Sequence, residues 1–92
     1  MNEMGELDFH PHILKRMVQR GVTKTEVEST LEDGKFAENA KEGTIGKVQI
    51  FKFEGYWEGK YYKKKEVSVY YKTKNTDLIL LTVIARYGNT FD

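Results

Sequence analysis

The chain has no cysteine. That excludes a disulfide scaffold, a cysteine nucleophile and any zinc site built on thiolates. It has one proline and only two histidines, so the three or four ligands of a zinc site are short on the imidazole side as well. No apolar run approaches the ~18 residues that cross a membrane. The N-terminus lacks the apolar core, about 7–15 residues long, of a secretory signal. The expectation is a cytoplasmic protein with no membrane partner, no metal and no cofactor.

What remains is compact and mixed. Ninety-two residues allow one domain, 1–92, able to bury roughly 60–70% of its unfolded surface. Hydrophobic residues make up 39%, charged residues 32% and aromatics 13%, which reads as globular rather than disordered. The net charge of +1 conceals an asymmetry: residues 1–46 carry 6 Lys/Arg against 9 Asp/Glu, and residues 47–92 carry 9 against 5. The basic C-terminal half makes an anion-binding face an expectation.

Residues 1–8 show no clear period and read as a disordered arm or a short strand. Pro11 suits the first position of a helix, where its missing N–H would have no partner in any case. Ile13, Leu14, Met17 and Val18 recur at helical spacing as a core-facing stripe, and Gly21 supplies the stop. Thr23 and Glu26 form a capping box, with Val22 and Val27 at the staple positions and Gly34 at the far end. Helices are therefore expected over 11–20 and 24–33. As a DNA-reading helix–turn–helix this pair is disfavoured, because Glu26, Glu28, Glu32 and Asp33 on the second helix repel phosphate.

From Thr44 the period changes to two. Strands are expected over 47–53, 66–72 and 78–87, rich in β-branched and aromatic residues and separated by turn signals at Gly55 and Asn75-Thr76-Asp77. The last is apolar on both faces, which predicts a central position in the sheet. The order helix, helix, strand, strand, strand defines an α+β fold, with two N-terminal helices on one face of a three- to four-stranded antiparallel sheet.

Four groups could carry chemistry. His12, Arg16 and Arg20, at i, i+4 and i+8, form a polar seam bordering the buried stripe of the first helix, where partial desolvation strengthens contact with an anion. Pairing of those arginines with acids of the second helix is the other reading. His10 and His12, with Asp8, suggest a metal only weakly; His10 fits better as a helix cap. The stretch from Tyr56 to Lys65 alternates aromatics with cations: Trp57, Lys60, Tyr61, Lys63, Lys64 and Lys65 suit a single-stranded nucleic acid, whose bases stack on rings and whose phosphates pair with lysine. A charged hairpin end that blocks edge-to-edge aggregation has the same pattern. In the last strand, Thr82 and Arg86 are polar side chains in an apolar run and need partners. The seam of the first helix would supply them, bringing His12, Arg16, Arg20, Thr82 and Arg86 together at one edge of the sheet; a lone structural hydrogen bond is the alternative.

The run His12-x3-Arg16-Met17-x2-Arg20-Gly21-Val22, followed by a capped helix, Gly34, three strands and Thr82-Val83-Ile84, resembles a small bacterial and archaeal family of unknown function. That family has a His-x3-Arg-Met-x2-Arg-Gly-Ile/Val motif and is placed in the RelE/ParE-like (barnase–EndoU–colicin–RelE) toxin superfamily. The likeness covers residues 9–88. It implies a RelE-like fold and a toxin-type, metal-independent endoribonuclease in which a 2′-OH attacks the adjacent phosphate. The partners the resemblance implies are RNA, with ribosome association as one form of that expectation, and a cognate antitoxin protein. In that scheme His12 is the general acid or base, Arg16, Arg20 and Arg86 stabilise phosphoryl charge, and Thr82 and Tyr87 orient the phosphate or leaving group. A non-catalytic module of the same fold, binding nucleic acid or protein, is the rival expectation. The chain departs from the toxin pattern in its near-neutral charge and its long Tyr/Trp/Lys hairpin.

Overall fold

The structure is a computed structural model that describes residues 9–91; the arm or strand expected over 1–8 lies outside them. Helix α1 spans Pro11–Arg20 and α2 spans Lys24–Asp33, as the caps predict. Three residues join them. The imidazole Nδ1 of His10 accepts the Ile13 N–H at 3.3 Å, and Pro11 opens the helix. At its other end Gly21 adopts φ +71, and the Val22 N–H returns to the Met17 carbonyl at 2.9 Å. That conformation is costly for any residue with a Cβ. The capping box is complete: the Glu26 N–H donates to Thr23 Oγ1 at 3.1 Å, and the Thr23 N–H donates to Glu26 Oε1 at 3.0 Å.

Four antiparallel strands follow in the order β1-β2-β3-β4: β1 Lys35–Phe36, β2 Ile45–Trp57, β3 Lys60–Lys74 and β4 Asp77–Gly88. β2 and β3 form one long hairpin whose two-residue turn places Glu58 at φ 51 and Gly59 at φ 85. Paired left-handed residues match the right-handed twist of the strands they join. Thirteen residues in β2, at roughly 3.3 Å each, reach roughly 43 Å, and the molecule is 42 Å long against 27 Å in the other directions. β4 pairs with β3 only from Lys64 to Lys74. The end of the hairpin, Gly55 to Lys63, therefore projects as a two-stranded arm.

Two expectations change here. β4 lies at the edge of the sheet, not at its centre. Its apolarity on both faces has another cause: Leu80 and Val83 are buried in the core, while Leu81 and Ile84 are 38% and 40% exposed. Val18 is 80% exposed, because α1 packs on β4 and a single edge strand covers only a narrow stripe of a helix. Ile13 and Met17 of α1 join Val22, Val27, Leu31, Val67, Val69, Tyr71, Leu80 and Val83 in one core between the helices and the sheet. Both helices lie on this face. Among the described residues no helix covers the other face, the open face, which only the β1–β2 connection overlies at one end.

Candidate nucleic-acid interface

Lys65 sits where α1, α2 and the base of the hairpin arm meet. It is 4% exposed. Its ammonium lies 2.9 Å from Glu26 Oε2 and donates to the Gly21 carbonyl at 2.7 Å. The rings of Phe53 and Tyr87 are within 5.3 Å and 5.8 Å of it. An ion pair, a carbonyl and two aromatic faces together satisfy a charge that burial alone would make costly. Tyr87 donates its hydroxyl to the Arg20 carbonyl at 2.8 Å, and its ring stacks on Trp57 at 4.9 Å. Burial, with the charges of Glu26 and Glu58 added, pushes its hydroxyl up to about 12. Arg20 donates to the Val83 carbonyl of β4 at 3.0 Å. A Cβ on Gly21 would come within 2.6 Å of both the Trp57 ring and the Tyr87 hydroxyl. Arg20, Gly21, Trp57, Lys65 and Tyr87 thus form one lock that fastens the interhelix turn to the sheet.

The seam expected around α1 does not assemble. His12 and Arg16 are exposed on α1, and only Arg20 is half-buried. Glu66 and Ser68 alternate with Lys65, Val67 and Val69, so they point away from the helices. Arg86 and Ile84 stand opposite them in β4, and Thr82 stands opposite Tyr70. Thr82 and Arg86 therefore occupy the open face, across the sheet from His12 and Arg16. Tyr87 lies on the helix side. A strand alternates its faces, so Arg86 and Tyr87 cannot both face the helices. The partner Arg86 takes is Glu66, at 2.7 Å, and that contact raises its pKa further. His10 and His12 stack at 6.1 Å, and among the described residues no group of three His, Cys, Asp or Glu is placed to hold a metal.

The cationic-aromatic stretch is divided by the strand pleat. Trp57 and Lys65 are engaged with the lock and are not free for a ligand. Lys60, Lys63 and Lys64 are exposed, and Lys60 also lies 5.7 Å over the Tyr62 ring. Tyr61 is 44% exposed and meets Tyr56, 74% exposed, edge to face at 5.5 Å. The arm and the pair at its base thus present two tyrosine rings and three exposed lysines, none of them ion-paired among the described residues. From its base a shallow groove of about 830 Å³ runs over the open face, lined by Val48, Ile50, Glu66, Ser68, Tyr70, Ile84 and Arg86 among others. Of these, Glu66, Ser68 and Tyr70 were not singled out in the sequence. Their parity with Val67 and Val69 was the available signal, but it gains meaning only once the helices are known to cover a single face.

Among the described residues, two helices on one face of a four-stranded antiparallel sheet define the class, an α+β domain. The profile of the family described as a domain of unknown function, DUF4258, matches residues 9–85, and the chain belongs to that family. No curated protein and no solved structure gives a significant match.

Proposed function

We propose that this chain is an RNA-binding protein of RelE-like kind, with the hairpin arm and the open sheet face as its ligand surface. The observation that carries the reading is the exposed side of the hairpin end: tyrosines Tyr56 and Tyr61 beside exposed Lys60 and Lys63, with exposed Lys64 at the first pair that β3 makes with β4. Aromatic faces accept any base, and lysines follow the backbone phosphates. The groove continues this surface with the Arg86 guanidinium, a group suited to a phosphate oxygen.

The toxin-type endoribonuclease is the stronger form of the same proposal. It is favoured by the Arg86–Glu66 pair on the open face, which sets a cation and a carboxylate beside an RNA lying in the groove. In this form Arg86 stabilises phosphoryl charge, the Glu66 carboxylate beside it takes the 2′-OH proton and water protonates the leaving 5′ oxygen, all without His12. Thr82, four residues and about 13 Å along the strand from Arg86, meets a neighbouring nucleotide rather than the reacting phosphate. A cognate antitoxin would then have the arm and the open face to cover.

The test is fluorescence anisotropy of a labelled single-stranded RNA at two salt concentrations, in EDTA, with the same RNA run on a gel. Binding that weakens with salt is expected. The Lys60→Ala/Lys63→Ala/Lys64→Ala variant should flatten the log–log salt slope by about 0.7 for each lysine that meets a phosphate. Absence of binding at low salt by folded protein overturns the reading. Cutting that yields cyclic-phosphate ends and is lost in Arg86→Ala, while His12→Ala retains it, would establish the stronger form.

A further inference from the structure

The groove ends in a separate pocket, of about 390 Å³, at the far end of the open face from the arm. Its size is that of a small-molecule site. Asn39, Lys41, Thr44, Tyr70, Leu81 and Thr82 line it, with Ile84 on the sheet floor.

Several local features hold it in shape. The connection from β1 to β2 is tied into a turn, with the Thr44 N–H and hydroxyl both donating to the Lys41 carbonyl, at 2.9 Å and 2.6 Å. The Tyr70 ring lies so close over Gly46 that a Cβ there would be 2.6 Å from it, and its hydroxyl donates to Asn39 Oδ1 at 3.0 Å. β4 carries one extra residue at this point: Tyr70 pairs with Thr82 and Tyr71 with Leu80, which leaves Leu81 unpaired. Such bulges re-aim a side chain, and here Leu81, 38% exposed, becomes a wall of the pocket. An aromatic ring and aliphatic walls suit a flat ring. Asn39 spends its oxygen on Tyr70 and keeps its amide N–H pair as a donor, with the Thr82 hydroxyl nearby. Lys41 supplies a cation at the rim.

We infer that the Asn39–Tyr70–Leu81–Thr82 pocket receives one unstacked base of the bound RNA and selects a keto base, uracil or guanine, over adenine, whose amino group meets no acceptor at Asn39 because Tyr70 already occupies the amide oxygen. This rests on the RNA reading above and adds base selectivity to it. The walls hold the base ring, the Asn39 amide donates to a carbonyl oxygen, and Lys41 meets the flanking phosphate.

The experiment pairs two readouts on the intact chain. Anisotropy with oligouridylate and oligoadenylate of equal length should show a preference for uridine of roughly five- to tenfold, the lower range for one directed base contact. Asn39→Ala, and separately a pocket-filling Thr82→Trp, should remove the preference, whereas the triple lysine variant should weaken both oligonucleotides together. Amide shifts on titrating uridine monophosphate should fall at residues 39–44 and 81–84; a fold check by circular dichroism accompanies each variant. Equal binding of both oligonucleotides by the wild type, or a preference that survives in both pocket variants, overturns the inference while leaving RNA binding standing. Uridine monophosphate shifts without any oligonucleotide preference reassign the pocket to a free nucleotide and also overturn it. Failure of the wild type to bind either oligonucleotide overturns this inference together with the RNA reading.

Discussion

Gly21 shows how one residue can be required twice. Its φ of +71 favours glycine, and the Trp57 and Tyr87 side chains leave no room for a Cβ. Gly21→Ala should therefore cost roughly 2–4 kcal/mol, combining left-handed strain with overpacking; urea unfolding followed by circular dichroism measures it. Tyr87 carries a pH signature of the same lock. Its hydroxyl is raised to about 12, first by burial and then by the Glu26 and Glu58 charges. Between the ordinary tyrosine value near 10 and that raised value, the unfolded chain loses a proton that the folded chain keeps. Stability from Tyr87 is thus complete below about pH 10 and is lost as pH rises towards 12. Tyr71 is displaced in the same direction by burial. A spectrophotometric titration should show a late tyrosine component that shrinks in Tyr87→Phe.

The helices and the hairpin differ in how far their sequences determine them. α2 opens with reciprocal side chain–backbone bonds between Thr23 and Glu26, so Thr23→Ala should cost about 1 kcal/mol, read as a lowered melting temperature. Caps of this kind are contacts between residues three apart, and for that reason both helix ranges were legible in the sequence. The central parts of β2, β3 and β4 were legible from their alternation. Their ends were not: β2 runs on to Trp57 and β3 starts at Lys60, so a segment that resembles a polar loop is paired strand. The two-residue turn at Glu58-Gly59 lacks the Asn-Gly or Asp-Gly pattern that marks such a hairpin most clearly.

Across the whole molecule, one sheet separates two sets of side chains. The helix side holds the core and the lock; the open side holds the groove, the pocket and the Arg86–Glu66 pair. Substitutions at Lys60, Lys63 and Lys64 lie outside the core, so the triple variant should keep its unfolding free energy in urea within about 0.5 kcal/mol of wild type while its RNA affinity falls. A comparable loss of stability would instead make the arm lysines part of the fold. His12 and Arg16, exposed on α1, lie on the side away from the groove.

Caps and the two periodicities by themselves determined the α+β class, both helices and the central parts of the three main strands, because each depends on residues no more than four apart. They also isolated Arg20-Gly21 and the lysine-aromatic stretch as unusual. Only the tertiary structure decided what those residues do. Strand order depends on which backbone edges meet, and that put β4 at the margin with its second apolar face on the groove. The facing of Thr82 and Arg86 depends on which side the helices cover, and that parted them from His12 and Arg16. The fate of Lys65 depends on Glu26, thirty-nine positions away in the chain, whose carboxylate turned one of three consecutive lysines from a surface charge into an internal tie.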